Sequence, residues 1–111
     1  MSKKKSKPGK TYQLLAKTYP KIFEGVEALG KAVRKAGPLD EKTGQLVQLA
    51  AAAASGSEGA VHSHVRRAIK AGASSEEVQH ALLLLISTIG FPQTMAALSW
   101  SRDILDDDDK E

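Results

Sequence analysis

Ser57 to Pro92, SEGAVHSHVRRAIKAGASSEEVQHALLLLISTIGFP, decides the fold, because it holds all three histidines and the clearest helix punctuation in the chain. Ser57 is placed to cap a helix whose apolar positions are Val61, Val65, Ala68 and Ile69, and Gly72 closes it. Ser74 and Glu77 then have the spacing of a capping box, in which each side chain serves the other's backbone amide, worth about 1 kcal/mol. The helix they open carries Val78, Ala81, Leu82, Leu85, Ile86 and Ile89 on one face. Leu83 and Leu84 make its flanks apolar as well, so a second covering surface is expected, which we read as a subunit interface. Gly90 and Pro92 make the last sharp break, with Pro92 suited to the first turn of a helix reaching about Leu105. Met95, Leu98, Trp100 and Leu105 are its main apolar residues.

On the N-terminal side, a short helix from Thr11 to about Lys17 gives way at Tyr19-Pro20. Ile22, Val26, Leu29 and Val33 follow at helical spacing, with Phe23 beside them, and predict one buried face. Gly37-Pro38 ends that helix, and Asp40 can cap the next, which runs through Leu46, Val47, Leu49 and Ala50 to Ala54 and stops at Ser55-Gly56. Its alanine run admits close approach of a neighbouring helix. No strand pattern is present, so the expected class is all-α, about five to six helices in one domain over residues 11–105. A disordered basic arm is expected over residues 1–10, which hold five lysines and a Pro8-Gly9 breaker, and an acidic tail over 106–111. Asp106 to Lys110 also spell an enteropeptidase-type recognition sequence.

Composition narrows the functions open to such a domain. With 111 residues the chain supports one modest core, and with aromatics at 5% that core must be mainly Ala, Leu, Val and Ile. The absence of cysteine excludes disulfides, thiolate zinc sites, Fe–S clusters and thiol-based peroxide chemistry. No apolar run approaches the roughly 18 residues of a membrane span, and MSKKKSKPGK leads into TYQLL without a sustained apolar region, so no signal peptide or membrane partner is expected and the cytoplasm is the default location. The formal charge of +3 comes with oppositely charged ends, since Thr11 to Leu105 holds ten Lys and Arg against eight Asp and Glu. A lysine arm could neutralise nucleic-acid phosphates, but a solvated tail is the commoner role of such blocks, and nucleic acid is not the expected partner.

The histidine helix carries the chemistry. His62 and His64 differ by about 200° around a helix, so they face nearly opposite sides and cannot chelate one ion together. No metal site through both histidines is expected, and no cofactor. His64 lies with Val61, Val65 and Ala68, where an imidazole would be partly desolvated and could exchange a proton near neutrality, or could simply be a hydrogen-bonded core histidine. Glu58, His62 and Arg66 are spaced by four and form a column: Glu58 could orient His62 and Arg66 could hold an anion, or the three could be an ordinary solvated ladder. Arg67 is a further cation nearby, and nothing in the spacing assigns His80 to the site or to an interface.

The residues HVRRAIKAGASSEEVQHALLLLISTIGFP resemble the carboxymuconolactone decarboxylase family, related to the alkylhydroperoxidase D-like proteins, and GPLDEKTGQLVQLAAAAA looks like the family's preceding helix. The likeness covers roughly Leu39 to Trp100. It implies an all-helical subunit forming ring-like homo-oligomers, commonly hexamers built as trimers of dimers, with sites near subunit contacts. In the peroxidase-like branch a Cys-x-x-Cys pair precedes the histidine that His64 matches, and Ser57 and Ala60 stand at those positions. Neither supplies a thiolate. In the decarboxylase branch that histidine follows Glu-Leu-Arg-Leu, whereas this chain has Ala60-Val61-His62-Ser63. Glu58 matches an acidic position slightly upstream.

Two functions follow as expectations. One is a cofactor-free lyase or isomerase acting on a small anionic organic acid, with His64 transferring the proton, His62 and Glu58 assisting, and Arg66 or Arg67 holding the carboxylate. The other is a noncatalytic oligomer or binding module that kept the fold after losing the thiols.

Overall fold

Local signals set most element boundaries. The computed structural model describes residues 8–109, with side chains described to Asp106. Residues 1–7 of the basic arm expected over 1–10, and the last two residues, lie outside this range. Helices α1 (Lys10–Thr18), α2 (Pro20–Lys35), α3 (Glu41–Ala54), α4 (Glu58–Lys70), α5 (Ser75–Leu83), α6 (Ile86–Ile89, a single turn) and α7 (Phe91–Asp109) follow one another, and the class is all-α. Asp40 accepts from the Thr43 amide at 2.8 Å, and Ser57 from the Ala60 amide at 3.2 Å. Both halves of the Ser74–Glu77 box form, at 3.0 Å and 2.9 Å. Gly72 takes φ 103°, which lets the Ala73 amide turn back onto the Ala68 carbonyl at 2.9 Å. None of the helices among the described residues is long and apolar enough to cross a membrane.

The core lies between α3, α4, α5 and α7. Leu49, Ala52 and Ala53 of α3 face Val61, Val65 and Ala68 of α4, and Val78, Leu82, Ala97, Ile104 and Leu105 close the volume. Ala52 and Ala53 add little bulk, and α3 and α4 share the most extensive helix contact. Full burial of each Leu or Val contributes about 1.5–3 kcal/mol.

Four expectations need correction. Ile22, Val26, Leu29 and Val33 share a face of α2, but that face is exposed, at 63%, 60%, 64% and 55% of each residue's surface. Periodicity reported an amphipathic helix correctly and its burial wrongly, because nothing among the described residues covers that face; neither α1 nor α2 has a buried residue. Phe23 is half-buried, edge-on to Tyr12 at 5.1 Å. The helix opened by Ser74 is not continuous: at Leu84 and Leu85 it tightens into i→i+3 bonds, Leu85 N to Leu82 O at 3.0 Å and Thr88 N to Leu85 O at 2.9 Å. The change of pitch shifts the apolar face, so Val78 and Leu82 are buried while Ile86, Leu83 and Leu84 are exposed. In α7 the buried stripe is Thr94, Ala97, Ser101, Ile104 and Leu105, with Met95 exposed. Finally, α7 passes its expected end at Leu105 and continues to Asp109, with Arg102 paired to Asp106 one turn on at 3.1 Å.

The Glu77 carboxyl is held below its usual range first by the Ser74 backbone amide and then by the Lys42 ammonium at 3.1 Å. A folded-state pKa below the unfolded one gives stability that is present above the unfolded value of 4.5 and is lost as pH falls through the folded value. Glu77→Gln is therefore expected to melt below the parent at about pH 7 and to match it by about pH 3, read by thermal circular dichroism. A gap of constant size would show that the charge is not its source.

Candidate functional site

Burial of Val61, Val65 and Ala68 fixes the rotation of α4 and sends its polar residues to two flanks. On one flank, His64 Nδ1 lies 2.8 Å from Gln45 Oε1 of α3. Gln45 is itself buried, and its Nε2 donates to Glu41 Oε2 at 3.1 Å. That same carboxylate oxygen pairs with Arg34 Nε of α2 at 3.3 Å. The direction of the chain is chemically forced. A carboxylate paired with a guanidinium can only accept, so the Gln45 amide must present NH₂ to Glu41 and its carbonyl to His64. His64 then donates through Nδ1, and Nε2 carries the lone pair. Nε2 makes no hydrogen bond among the described residues.

Electrostatics favour the neutral ring. Burial pushes the His64 pKa down first, and the positive charges of Arg67 and Arg34 push it further. Arg67 is three residues beyond His64 on the same flank and reaches Glu27 of α2 at 3.9 Å. Glu27 also accepts from the Tyr12 hydroxyl at 2.6 Å, and this bond is the leading cause of the raised Tyr12 pKa. Two guanidiniums therefore act on His64, one from α2 and one from α4.

His62 lies on the opposite flank. Its Nε2 is 2.8 Å from Asp103 Oδ2 of α7 and 3.9 Å from Glu58 Oε2. Arg66 follows His62 by one turn; burial and then Arg67 lower its pKa, and it forms no ion pair among the described residues. The five residues singled out in the sequence are thus divided: His64 with Arg67, and Glu58 and His62 with Arg66. His80 is exposed on α5.

Three residues that sequence reasoning did not single out complete these clusters. Gln45 and Asp103 lie 19 and 41 residues from their histidines, and Arg34 lies on another helix, so no local spacing could have found them. One signal was available for Gln45, which sits four residues before the core residue Leu49 and four after Glu41. A glutamine in a buried stripe requires partners for its amide.

Ser57 and Ala60, the positions matched to thiols, now form the cap of α4, with Ser57 Oγ accepting from the Ala60 amide. Among known proteins, an uncharacterized protein of Methanocaldococcus jannaschii is 31% identical over 100 residues, covering 90% of this chain and 94% of its own. An uncharacterized protein of Haemophilus influenzae is 40% identical over 59 residues, covering 53% of this chain and 52% of its own. No solved structure matches. The carboxymuconolactone decarboxylase family model matches residues 20–103, a span that holds both flanks of α4, all of α2, α3 and α5 and most of α7, and the chain belongs to that family.

Proposed function

We propose that this chain is a proton-transfer enzyme, a lyase or isomerase acting on a small organic acid anion in the cytoplasm, with His64 Nε2 as the reacting atom. The observation that carries it is the Arg34–Glu41–Gln45–His64 chain, which leaves an imidazole lone pair on a ring in the field of two guanidiniums. In isomerisation, Nε2 takes a proton from a carbon made acidic by a neighbouring carbonyl or carboxyl group and returns it to another carbon, restoring the neutral ring. In decarboxylation, the ring is first charged at Nε2 by a proton from solvent, and the electron pair left as CO₂ departs takes that proton, returning the ring to its neutral form. Arg67 and Arg34 supply the positive field for the carboxylate, and an anion held there lowers the cost of charging the ring. Arg66, Glu58 and His62 take no part in this step, because helix geometry turns them to the other flank.

The active form is a ring-like homo-oligomer, a hexamer built as a trimer of dimers. Support comes from two apolar surfaces that one chain leaves open, Ile22, Val26, Leu29 and Val33 on α2, and Leu83, Leu84 and Ile86 around the α5–α6 step. A second reading is a noncatalytic oligomer that kept the fold, supported by Ser57 and Ala60 serving as a helix cap with no thiol between them.

His64→Ala is expected to abolish exchange of substrate carbon-bound protons with deuterated water, followed by NMR over a panel of small lactone and unsaturated carboxylates, while light scattering shows an unchanged assembly. Gln45→Leu keeps the ring but removes the partner that sets its tautomer, and should cost about 10–100-fold in turnover. Full activity in His64→Ala would remove His64 from the step, and a parent protein that exchanges none of the panel would favour the noncatalytic reading.

Val26→Asp with Leu29→Asp places two charges on the exposed face of α2. The double variant should elute as a smaller species with its helical circular dichroism intact, because neither residue contributes to the core. An unchanged mass would remove α2 from the interface.

A further inference from the structure

Glu58, His62 and Asp103 remain without a role in proton transfer, and their chemistry is that of a cation site. One imidazole nitrogen and two carboxylate oxygens, drawn from α4 and α7, all lie within 4.8 Å of one another. Both carboxylates approach the same atom, His62 Nε2, Asp103 at 2.8 Å and Glu58 at 3.9 Å. A single proton on that nitrogen can be donated to only one of them, and the second carboxylate is left to solvent. Arg66 does not neutralise it, since it pairs with neither carboxylate. A divalent cation, by contrast, can be held by all three groups together.

We propose that Glu58, His62 and Asp103 form a binding site for a divalent first-row transition ion of the zinc or cobalt class. Bonds of about 2.0–2.2 Å require ligand atoms on a common ion to sit about 3–3.5 Å apart, so the site closes by a small swing of the exposed Glu58 side chain. The backbones need not move. Val61 and Val65 anchor α4 on either side of His62, and Ser101, Ile104 and Leu105 anchor α7 around Asp103, all of them buried. An imidazole favours transition ions over calcium or magnesium, and the lack of thiolates disfavours copper(I). Three protein ligands leave positions for water, since the cluster lies at the surface with His62 the most buried member. The site is independent of the His64 reading, because the two histidines occupy opposite flanks of one helix.

Titration of the full chain with Co²⁺, followed by visible d–d absorption, and with Zn²⁺, followed by calorimetry, tests the proposal. One ion per chain is expected. His62→Ala and Asp103→Asn should each weaken binding at least about a hundredfold, Glu58→Gln at least about tenfold, and His80→Ala not at all. If His62→Ala fails to fold, Glu58→Gln carries the test, because its side chain is exposed. No Co²⁺ spectrum from the parent protein, or affinity that survives His62→Ala and Asp103→Asn, overturns the site and leaves His62–Asp103 as an ion pair joining α4 to α7. Loss of turnover in His64→Ala with Co²⁺ binding intact would show the two flanks acting separately.

Discussion

Val61, Val65 and Ala68 fill the seam between α3 and α7, and their burial sets the angle of α4 about its own axis. The two valines contribute about 1.5–3 kcal/mol each, more than the surface pairs on either flank can oppose. Rotation of α4 by one residue would move Val61 and Val65 out of the seam and bring His62 and Arg66 into it. The apolar stripe therefore decides where the polar chemistry lies. With 100° between successive residues, His62 must emerge toward α7 and His64 toward α3.

On the α3 side, each group constrains the next. Arg34 keeps Glu41 an acceptor, Glu41 orients the Gln45 amide, and Gln45 takes the Nδ1 proton of His64. A neutral glutamine at this position differs in kind from a carboxylate, which would pull the ring toward imidazolium. Here the amide orients without charging, and the guanidiniums favour the neutral form. The same ionic contacts link α2 to the body. Its apolar face is open, and Arg34–Glu41 and Glu27–Arg67 tie α2 to the core helices.

Caps were legible in the sequence because they are local: Asp40, Ser57, Ser74 with Glu77, and Gly72 each act within a few residues. Burial was less legible. The four-residue repeat of α2 states that one face is apolar and says nothing about what lies against it. In α7 the buried stripe includes Thr94 and Ser101, whose small side chains fit a close helix contact and give no hydrophobic signal. The tightening at Leu84 and Leu85 has neither glycine nor proline to announce it. Family membership was readable from 57–92 and its flanks, whereas Gln45 and Asp103 became partners of the histidines only through packing.

The cap of α4 also limits what the start of that helix can do. Ser57 Oγ is committed to the Ala60 amide, which joins these two positions in one structural bond. A serine so placed accepts a hydrogen bond from the first turn and is poorly disposed to act as a nucleophile, and Ala60 has no reactive group. Reactive capacity on α4 therefore begins beyond the cap, with Glu58 and His62 on one flank and His64 on the other. Each histidine is completed by a residue from a different helix, Asp103 for His62 and Gln45 for His64, so one helix can hold two chemically distinct clusters without either disturbing the other.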